Sequence, residues 1–270
     1  MKTICLGWII LCMSAHYAHS MNNLRLPDIR SLAMGENGVT QSVFYNPALL
    51  AFRQCKEIHM TYYNRYLIKE LGSLNGSFYY PSSFLSSGVH ISSFGYDSYR
   101  ESMIRGLMSK QLNNSWFLGL SFQYSFLQTD QEADKSSYLS TDIGMVCRVT
   151  DNLLIGLFIM NFSSASIQKE GIEIKDFTEY KVETGFQYLL MNRVLIAGTV
   201  GYTPSTFLRG SFGLEYGLLD QFRIYAGIKT TPLLPSFGCS YTFSRFTIDV
   251  AALFHPVLGV STGVGIHYSF

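Results

Sequence analysis

The chain has 270 residues, and only 14% of them are charged, with 20 lysines and arginines against 19 aspartates and glutamates. Soluble domains carry about a quarter charged residues, and nucleic-acid binding needs a basic surplus that this balance lacks. Beyond the first 20 residues no apolar run reaches the ~18 residues of a membrane helix. Low charge, 15% aromatic residues and 23 glycines favour a β-barrel in lipid.

The first 20 residues have the pattern of a secretory signal peptide. Lys2 supplies a positive start, residues 4–13 are apolar, and Ala18 and Ser20 place small side chains before a cleavage site. The apolar stretch is too short to span a bilayer. We therefore predict that residues 1–20 direct export and are removed.

The next segment, 21–56, shows no alternation of apolar and polar residues. Near its end Pro47 fixes its own φ and biases Asn46 toward extended backbone. The Asn46 side chain can then cap a short helix that begins at Pro47 and continues through Ala48. Such a compact turn could pack inside a barrel, and an ordinary Asn–Pro turn is the alternative interpretation.

Residues 57–270 alternate with a period of two, which is typical of strands with two different faces. Their polar and turn residues predict 14 strands, an even number as in bacterial single-chain barrels. The alternation is weakest over 97–110, which leaves 12 strands as the alternative. The predicted strands are 57–64, 72–80, 84–95, 100–108, 115–127, 137–149, 152–161, 178–190, 193–203, 206–218, 221–230, 236–244, 246–254 and 257–270.

The last strand shows the two faces most clearly. Ile266, Tyr268 and Phe270 share an apolar face, whereas Gly265 and His267 lie on the small or polar face. In a membrane barrel the apolar face meets lipid and the other lines the interior. We also predict that this aromatic terminus is the signal that the barrel assembly machinery recognises.

The connections predict an orientation. Tight turns at 150–152, 191–192, 219–220 and 244–245 contain Asn, Asp, Ser or Arg, and Asn and Asp in particular tolerate left-handed backbone. Long polar loops are predicted at 128–136 and 162–177. The tight set is expected in the periplasm together with both chain termini, and the long set outside the cell.

Several charged side chains are predicted to face the lumen. We expect them either to form a salt-bridged interior, because unpaired interior charges are costly, or to tune an ion- or solute-selective channel. Apolar residues on the inward face include Leu154, Phe158 and Met160. The predicted lumen-facing charges are Lys181, Glu183, Arg209, Glu215, Arg223, Lys229 and Asp249.

No motif of a hydrolase or a metalloenzyme is present in the sequence. A Ser–His pair around His90 on the third strand is the remaining enzymatic alternative. Cys55, Cys147 and Cys239 are an odd number and have no zinc-site spacing. We therefore expect no enzymatic activity, no metal, no cofactor and at most one disulfide.

The N-terminal segment resembles a known family. Arg30, Ala33, Met34, Gly35 and Gly38, followed by the stretch 44–48 with Asn46, Pro47 and Ala48, are similar to the N-terminal hatch of the FadL family of outer-membrane barrels and its PorV/PorQ relatives from Bacteroidota. The resemblance implies a 14-stranded barrel in the outer membrane with residues 21–56 as a hatch inside it.

The resemblance implies two functions. The first is an accessory subunit of a larger outer-membrane complex for protein secretion or assembly, as in PorV/PorQ-like proteins. The second is a FadL-like channel for hydrophobic small molecules. Partners would be outer-membrane lipid and either that complex or a hydrophobic ligand, with no nucleic acid.

Overall fold

A computed structural model describes residues 24–25, 28–129, 137–168, 171–173 and 179–270. The predicted signal peptide, most of the predicted loop 128–136 and part of the predicted loop 162–177 lie outside these residues.

The described residues form a closed antiparallel barrel of 14 strands, as the sequence predicts. Each strand pairs with its neighbours in the chain, and β1 pairs with β14 from Glu57–Ser269 to Asn64–Thr262, which closes the barrel. The weakly alternating segment is a full strand, so the count is 14 rather than 12. The barrel strands are β1 57–64, β2 72–80, β3 86–96, β4 99–111, β5 116–129, β6 137–150, β7 153–168, β8 181–190, β9 194–203, β10 207–217, β11 222–229, β12 234–243, β13 246–255 and β14 259–269. A further short strand at Gly171–Glu173 pairs only with the end of β7 among the described residues.

The period of two places apolar residues outside and small or polar residues inside. On β14, Val264 and Ile266 are exposed on the exterior, whereas Gly263 and Gly265 face inward and are buried. The exterior carries a broad surface of exposed aromatic and aliphatic side chains from every strand. Such a surface is stable in contact with lipid, where apolar groups need no water.

One prediction about the loops is wrong. The segment predicted as a loop from residue 162 begins as strand, because β7 runs to Gln168 and pairs with residues from Ser137 onward on β6. The ladder shifts register between Thr141 and Ile143, opposite Asn161, whose φ of 54° is left-handed. The backbone groups of β6 need hydrogen-bond partners whatever side chains the partner strand carries. The polar composition of the segment from residue 162 therefore does not prevent it from continuing β7.

The connections divide the barrel into two ends. The end that we call the turn end holds the C-terminus and the connections 81–85, 112–115, 151–152, 191–193, 218–221 and 244–245. Met191, Asn192 and Ser244 adopt positive φ there. The other end, which we call the loop end, holds the connections 65–71, 97–98, 204–206, 230–233 and 256–258. All four predicted tight turns lie at one end, as expected.

Residues 28–52, which we call the internal segment, run through the lumen. The segment contains a helix, α1, at Ile29–Ala33, which Asp28 caps by accepting from the Ser31 amide, and a 3-10 helix at Pro47–Phe52. Its apolar side chains and the inner wall form the core of the protein. Among the described residues no helix has the length and apolarity needed to cross a membrane.

Candidate functional site in the lumen

Glycines on the inner wall let the internal segment approach the strands at backbone distance. A β-carbon on Gly227 would lie 2.1 Å from the Gly35 amide nitrogen, and one on Gly213 would lie 2.4 Å from the Met34 carbonyl oxygen. Gly213 and Gly227 are partners across β10 and β11. A second pair, Gly119 on β5 and Gly144 on β6, meets residues 46–48 in the same way. The wall is therefore shaped to hold this segment.

The predicted capping geometry at Asn46 is present. Its Oδ1 accepts from the Ala48 amide at 3.0 Å, and its Nδ2 donates to the Val39 carbonyl at 2.8 Å. Pro47 occupies the first position of the 3-10 helix. Gly35 has a φ of 79°, which only glycine adopts without strain. The fully buried Asn46 thus fixes the turn that brings the segment to the wall.

Five charged groups form a cluster between the internal segment and strands β8 to β11. Lys229 Nζ lies 2.5 Å and Arg209 Nη1 3.6 Å from Glu36 Oε2. Lys181 Nζ lies 2.6 Å and Arg209 Nη2 3.1 Å from Glu183 Oε1. Three cations therefore share two carboxylates, and we call these five residues the charge cluster.

All members of the charge cluster except Glu183 line a cavity at the loop end of the lumen. The cavity has a volume of about 390 Å³. Glu36 and Tyr45 of the internal segment bound it, and exposed Ser205 and Thr206 form part of its rim. The other lining residues are Arg25, Tyr63, Arg65, Tyr66, Leu71, Met160, Glu179, Lys181, Thr203, Arg209, Lys229, Leu234, Leu253 and Ser261.

The neighbours of Glu36 determine its ionisation. Burial on its own raises the pKa of this carboxyl, but Lys229 and Arg209 outweigh that effect and lower the pKa to about 2. Glu36 is therefore ionised over the whole physiological range.

Arg25 fastens the start of the described chain to the wall. Its guanidinium donates to Asp142 at 2.8 Å and to Asn161 at 2.7 Å. Asp142 also pairs with Arg105 at 2.9 Å and accepts from the Asn161 amide at 2.9 Å. Arg105 and Asp142 are not among the predicted lumen charges. Ser140, Asp142 and Gly144 lie on the inward face of β6. The alternation along this strand is therefore sufficient to predict that the Asp142 carboxylate faces the lumen.

A second group of charges lies nearer the turn end. Arg30 of α1 donates to Glu215 through Nε at 2.7 Å, and Arg223 Nη1 lies 3.6 Å from Glu215. His267 Nε2 lies 3.1 Å from Asp249 Oδ2, and its ring stacks on that of His59 at 4.1 Å. Glu57 Oε2 lies 2.8 Å from His59 Nε2. Glu57 is not among the predicted lumen-facing charges.

The predicted lumen charges thus divide into two sites. Lys181, Glu183, Arg209 and Lys229 meet in the charge cluster, and the other three belong to the second group, at the far side of the internal segment. Arg223 is largely exposed at the turn end. The structure therefore does not assemble the seven residues into one ring.

The serine–histidine pair is present but closed off. His90 is hydrogen-bonded to Ser77 at 2.8 Å and to Ser92 at 2.6 Å. Phe44 covers it at a ring distance of 4.6 Å, and His90 is 2% exposed. A substrate has no access to these atoms in this arrangement, so the network supports packing of the internal segment.

The remaining predicted residues have simpler surroundings. Phe158 and Met160 are buried in the lumen, as predicted, and Leu154 packs against the core at the 3-10 helix. Ile266 and Phe270 are exposed on the exterior, with the Tyr268 ring 4.8 Å from that of Phe270. Cys55, Cys147 and Cys239 are free thiols. In the part of the chain that the structure describes, no group of His, Cys, Asp and Glu is arranged to hold a metal.

Comparison with known proteins gives matches at the level of structure. No family model and no curated protein sequence matches the chain. The CymD monoaromatic hydrocarbon channel superposes with a TM-score of 0.69 at 12% identity, over 92% of this chain and 98% of that one. The P. putida toluene transporter TodX gives 0.67 at 12% identity, over 92% and 99%. A Pseudomonas aeruginosa FadL homologue gives 0.60 at 12% identity, over 90% and 97%. The chain therefore shares its barrel fold with a hydrocarbon channel, a toluene transporter and a FadL homologue.

Proposed function

We propose that the protein is an outer-membrane channel that admits small molecules through the cavity at its loop end. The observation that carries this proposal is the cavity itself, which lies inside a closed barrel and is bounded by the internal segment. Ligand sites in barrels commonly form in the mouth of the barrel, in pockets of about 300 to 1,000 Å³. The fold shared with a hydrocarbon channel and a toluene transporter supports transport.

In this proposal the internal segment is a hatch. It fills the lumen between the cavity and the turn end, and its contacts are backbone atoms on wall glycines together with ion pairs. A solute that passes through the barrel requires these contacts to rearrange or a path beside them. Asn46, Pro47 and Ala48 fix the part of the hatch that lies against β4 to β6.

We propose an orientation from the connections. We place the turn end and the C-terminus in the periplasm and the loop end outside the cell, so that the cavity faces the medium. Short periplasmic turns and longer outer loops are the usual arrangement of outer-membrane barrels. The exterior position of Ile266, Tyr268 and Phe270 supports their proposed recognition by the assembly machinery.

An accessory role in a secretion complex was the first function implied by the sequence. The solved structures with this fold that are named above are described as channels or as a FadL homologue, and the lumen holds a cavity that an accessory subunit does not need. We therefore propose transport and not an accessory role.

The test is solute entry into vesicles whose outer leaflet is lipopolysaccharide, which slows the passage of both hydrocarbons and organic anions. Purified protein is reconstituted, and entry of toluene and of benzoate is compared with that into protein-free vesicles. Faster entry of either solute is the expected result. Equal rates with and without folded protein would rule out the channel.

A further inference from the structure

We propose that the cavity binds a small organic anion with a compact aromatic or apolar body, and not a neutral hydrocarbon. This inference names the substrate class of the proposed channel and rests on that proposal. Its basis is the charge cluster, in which Glu36 and Glu183 are the carboxylates, among the described residues, that pair with Lys181, Arg209 and Lys229. Arg65 and Glu179 also line the cavity and carry opposite charges, so they leave this balance unchanged. The cluster carries one positive charge more than its own carboxylates compensate.

The three cations of the cluster are largely removed from water, so their surplus charge is not compensated by solvent. The side chains of Lys181 and Lys229 are each 13% exposed, and that of Arg209 is 25% exposed. Charges removed from water are stable only when they are paired and hydrogen-bonded. An anionic group on a ligand balances the surplus charge of the cluster, and hydrogen bonds between ionised groups are the strong ones.

Other parts of the cavity lining suit the rest of such a ligand. Tyr63, Tyr66, Leu71 and Leu253 contribute aromatic and aliphatic surface. Apolar side chains and polar groups that fix orientation occur together in small-molecule sites, and here seven charged side chains line the cavity beside the apolar ones. The volume of about 390 Å³ is sufficient for a one-ring or two-ring molecule.

A neutral hydrocarbon would offer no charged group to the charge cluster. It would displace water from Lys229 and Arg209 without offering an acceptor and without balancing the surplus positive charge of the cluster, and removing charge from water without such compensation is costly. The named channel and transporter carry monoaromatic hydrocarbon or toluene. The charges therefore predict a different preference on the same fold.

The test compares benzoate with toluene, which have the same ring and nearly the same size but differ in charge. Their dissociation constants are measured by equilibrium dialysis of labelled compound against the full protein in an uncharged detergent, with protein-free micelles subtracted. We expect benzoate to bind at least tenfold more tightly than toluene. Equal binding, or tighter binding of toluene, would overturn the inference.

Two variants of one ion pair give effects of opposite sign. Glu36→Gln frees Lys229 and Arg209 from their carboxylate and should tighten benzoate binding about tenfold, whereas Lys229→Gln should weaken it about tenfold. Toluene binding should change in neither. A purely structural role of the pair predicts weaker binding in both variants, so this outcome would contradict the inference. Folding is checked by the heat-dependent mobility of the barrel on gels.

The control is the exposed ion pair of Asp97 and Arg100, which lies at the same end of the barrel. Asp97→Asn changes charge as Glu36→Gln does but lies on the surface, so benzoate binding should stay within twofold. A change as large as that in Glu36→Gln would mean that the net charge of the barrel acts, and not the cavity.

Further arms separate the sources of the anion and the two proposals. If phosphatidylglycerol added to the micelles displaces benzoate and binds more tightly, the site is a lipid headgroup site and the small-molecule inference fails. If benzoate binds as expected but enters vesicles no faster than in controls, the inference stands and the channel fails. If toluene enters vesicles faster than in controls but benzoate does not bind more tightly than toluene, the channel stands and the inference fails.

Discussion

Gly227 on β11 and Gly35 of the internal segment meet so closely that a β-carbon on Gly227 would lie 2.1 Å from the Gly35 amide nitrogen. The atom that it would meet is backbone and not the end of a flexible side chain. Either the segment or the strand would have to move, and overpacking of this kind costs about 1 to 3 kcal/mol.

We predict that Gly227→Ala lowers the free energy of unfolding by about 2 kcal/mol and exposes the internal segment to protease. Gly76→Ala is the matched control, because Gly76 lies on a strand and a β-carbon added there would have no heavy atom within 4 Å. Urea unfolding and limited proteolysis compare the two variants. Equal behaviour of both would contradict the close approach.

Asn46 gives a second test of how the segment is held. Asn46→Ala removes the cap on the Ala48 amide and leaves the buried Val39 carbonyl without its donor. Loss of such a cap costs about 1 to 2 kcal/mol, and an unsatisfied buried group adds to it. Amide exchange should rise in residues 47–52 and less elsewhere. Asn113→Ala, in an exposed turn where Asn113 accepts from the Trp116 amide, should raise exchange at that turn alone.

Asp142 is expected to be the most sensitive carboxylate in the barrel. It is fully buried and pairs with both Arg25 and Arg105. Asp142→Asn leaves two buried cations without a counter-charge, a loss of about 3 to 5 kcal/mol. The comparison is Asp97→Asn, whose exposed pair with Arg100 should contribute less than about 1 kcal/mol. Denaturant unfolding measures both, and similar losses would show that Asp142 is not buried as described.

The lowered pKa of Glu36 predicts that the stability of the internal segment depends on pH. Its pKa in the folded protein is about 2, below the ordinary value of 4.5. The ionised form is therefore favoured by folding, so its contribution to stability is complete above the ordinary pKa and is lost as the pH falls from about 4.5 to about 2. Protease sensitivity of the internal segment should rise across this window.

Glu36→Gln separates this effect from that of other carboxylates. The variant should lose the part of the pH dependence that Glu36 supplies, and its sensitivity to protease at neutral pH should exceed that of the unaltered protein. Identical pH profiles for the two proteins would show that the ion pairs with Lys229 and Arg209 do not hold the segment.

The sequence by itself determined the strands and their two faces. Alternation is a local property, because successive side chains of a strand point to opposite sides, so Ile266 and Gly265 could be assigned to the exterior and the interior without knowledge of any partner. The tight turns predicted at 150–152 and 191–192 and the cap at Asn46 are local for the same reason. These features are sufficient to predict a closed barrel of 14 strands with a separate segment before it.

The tertiary structure alone decided which inward residues meet. Glu36 is far from Lys229 in the chain, and their contact depends on the path of the internal segment and on the register of β11 against its neighbours. The same dependence joins Arg25, Arg105 and Asp142, which alternation cannot bring together. Pairing across a barrel is a non-local property. The tertiary structure was therefore needed to show that the predicted charges divide into two sites. It was also needed to show the cavity between the charge cluster and the tyrosines.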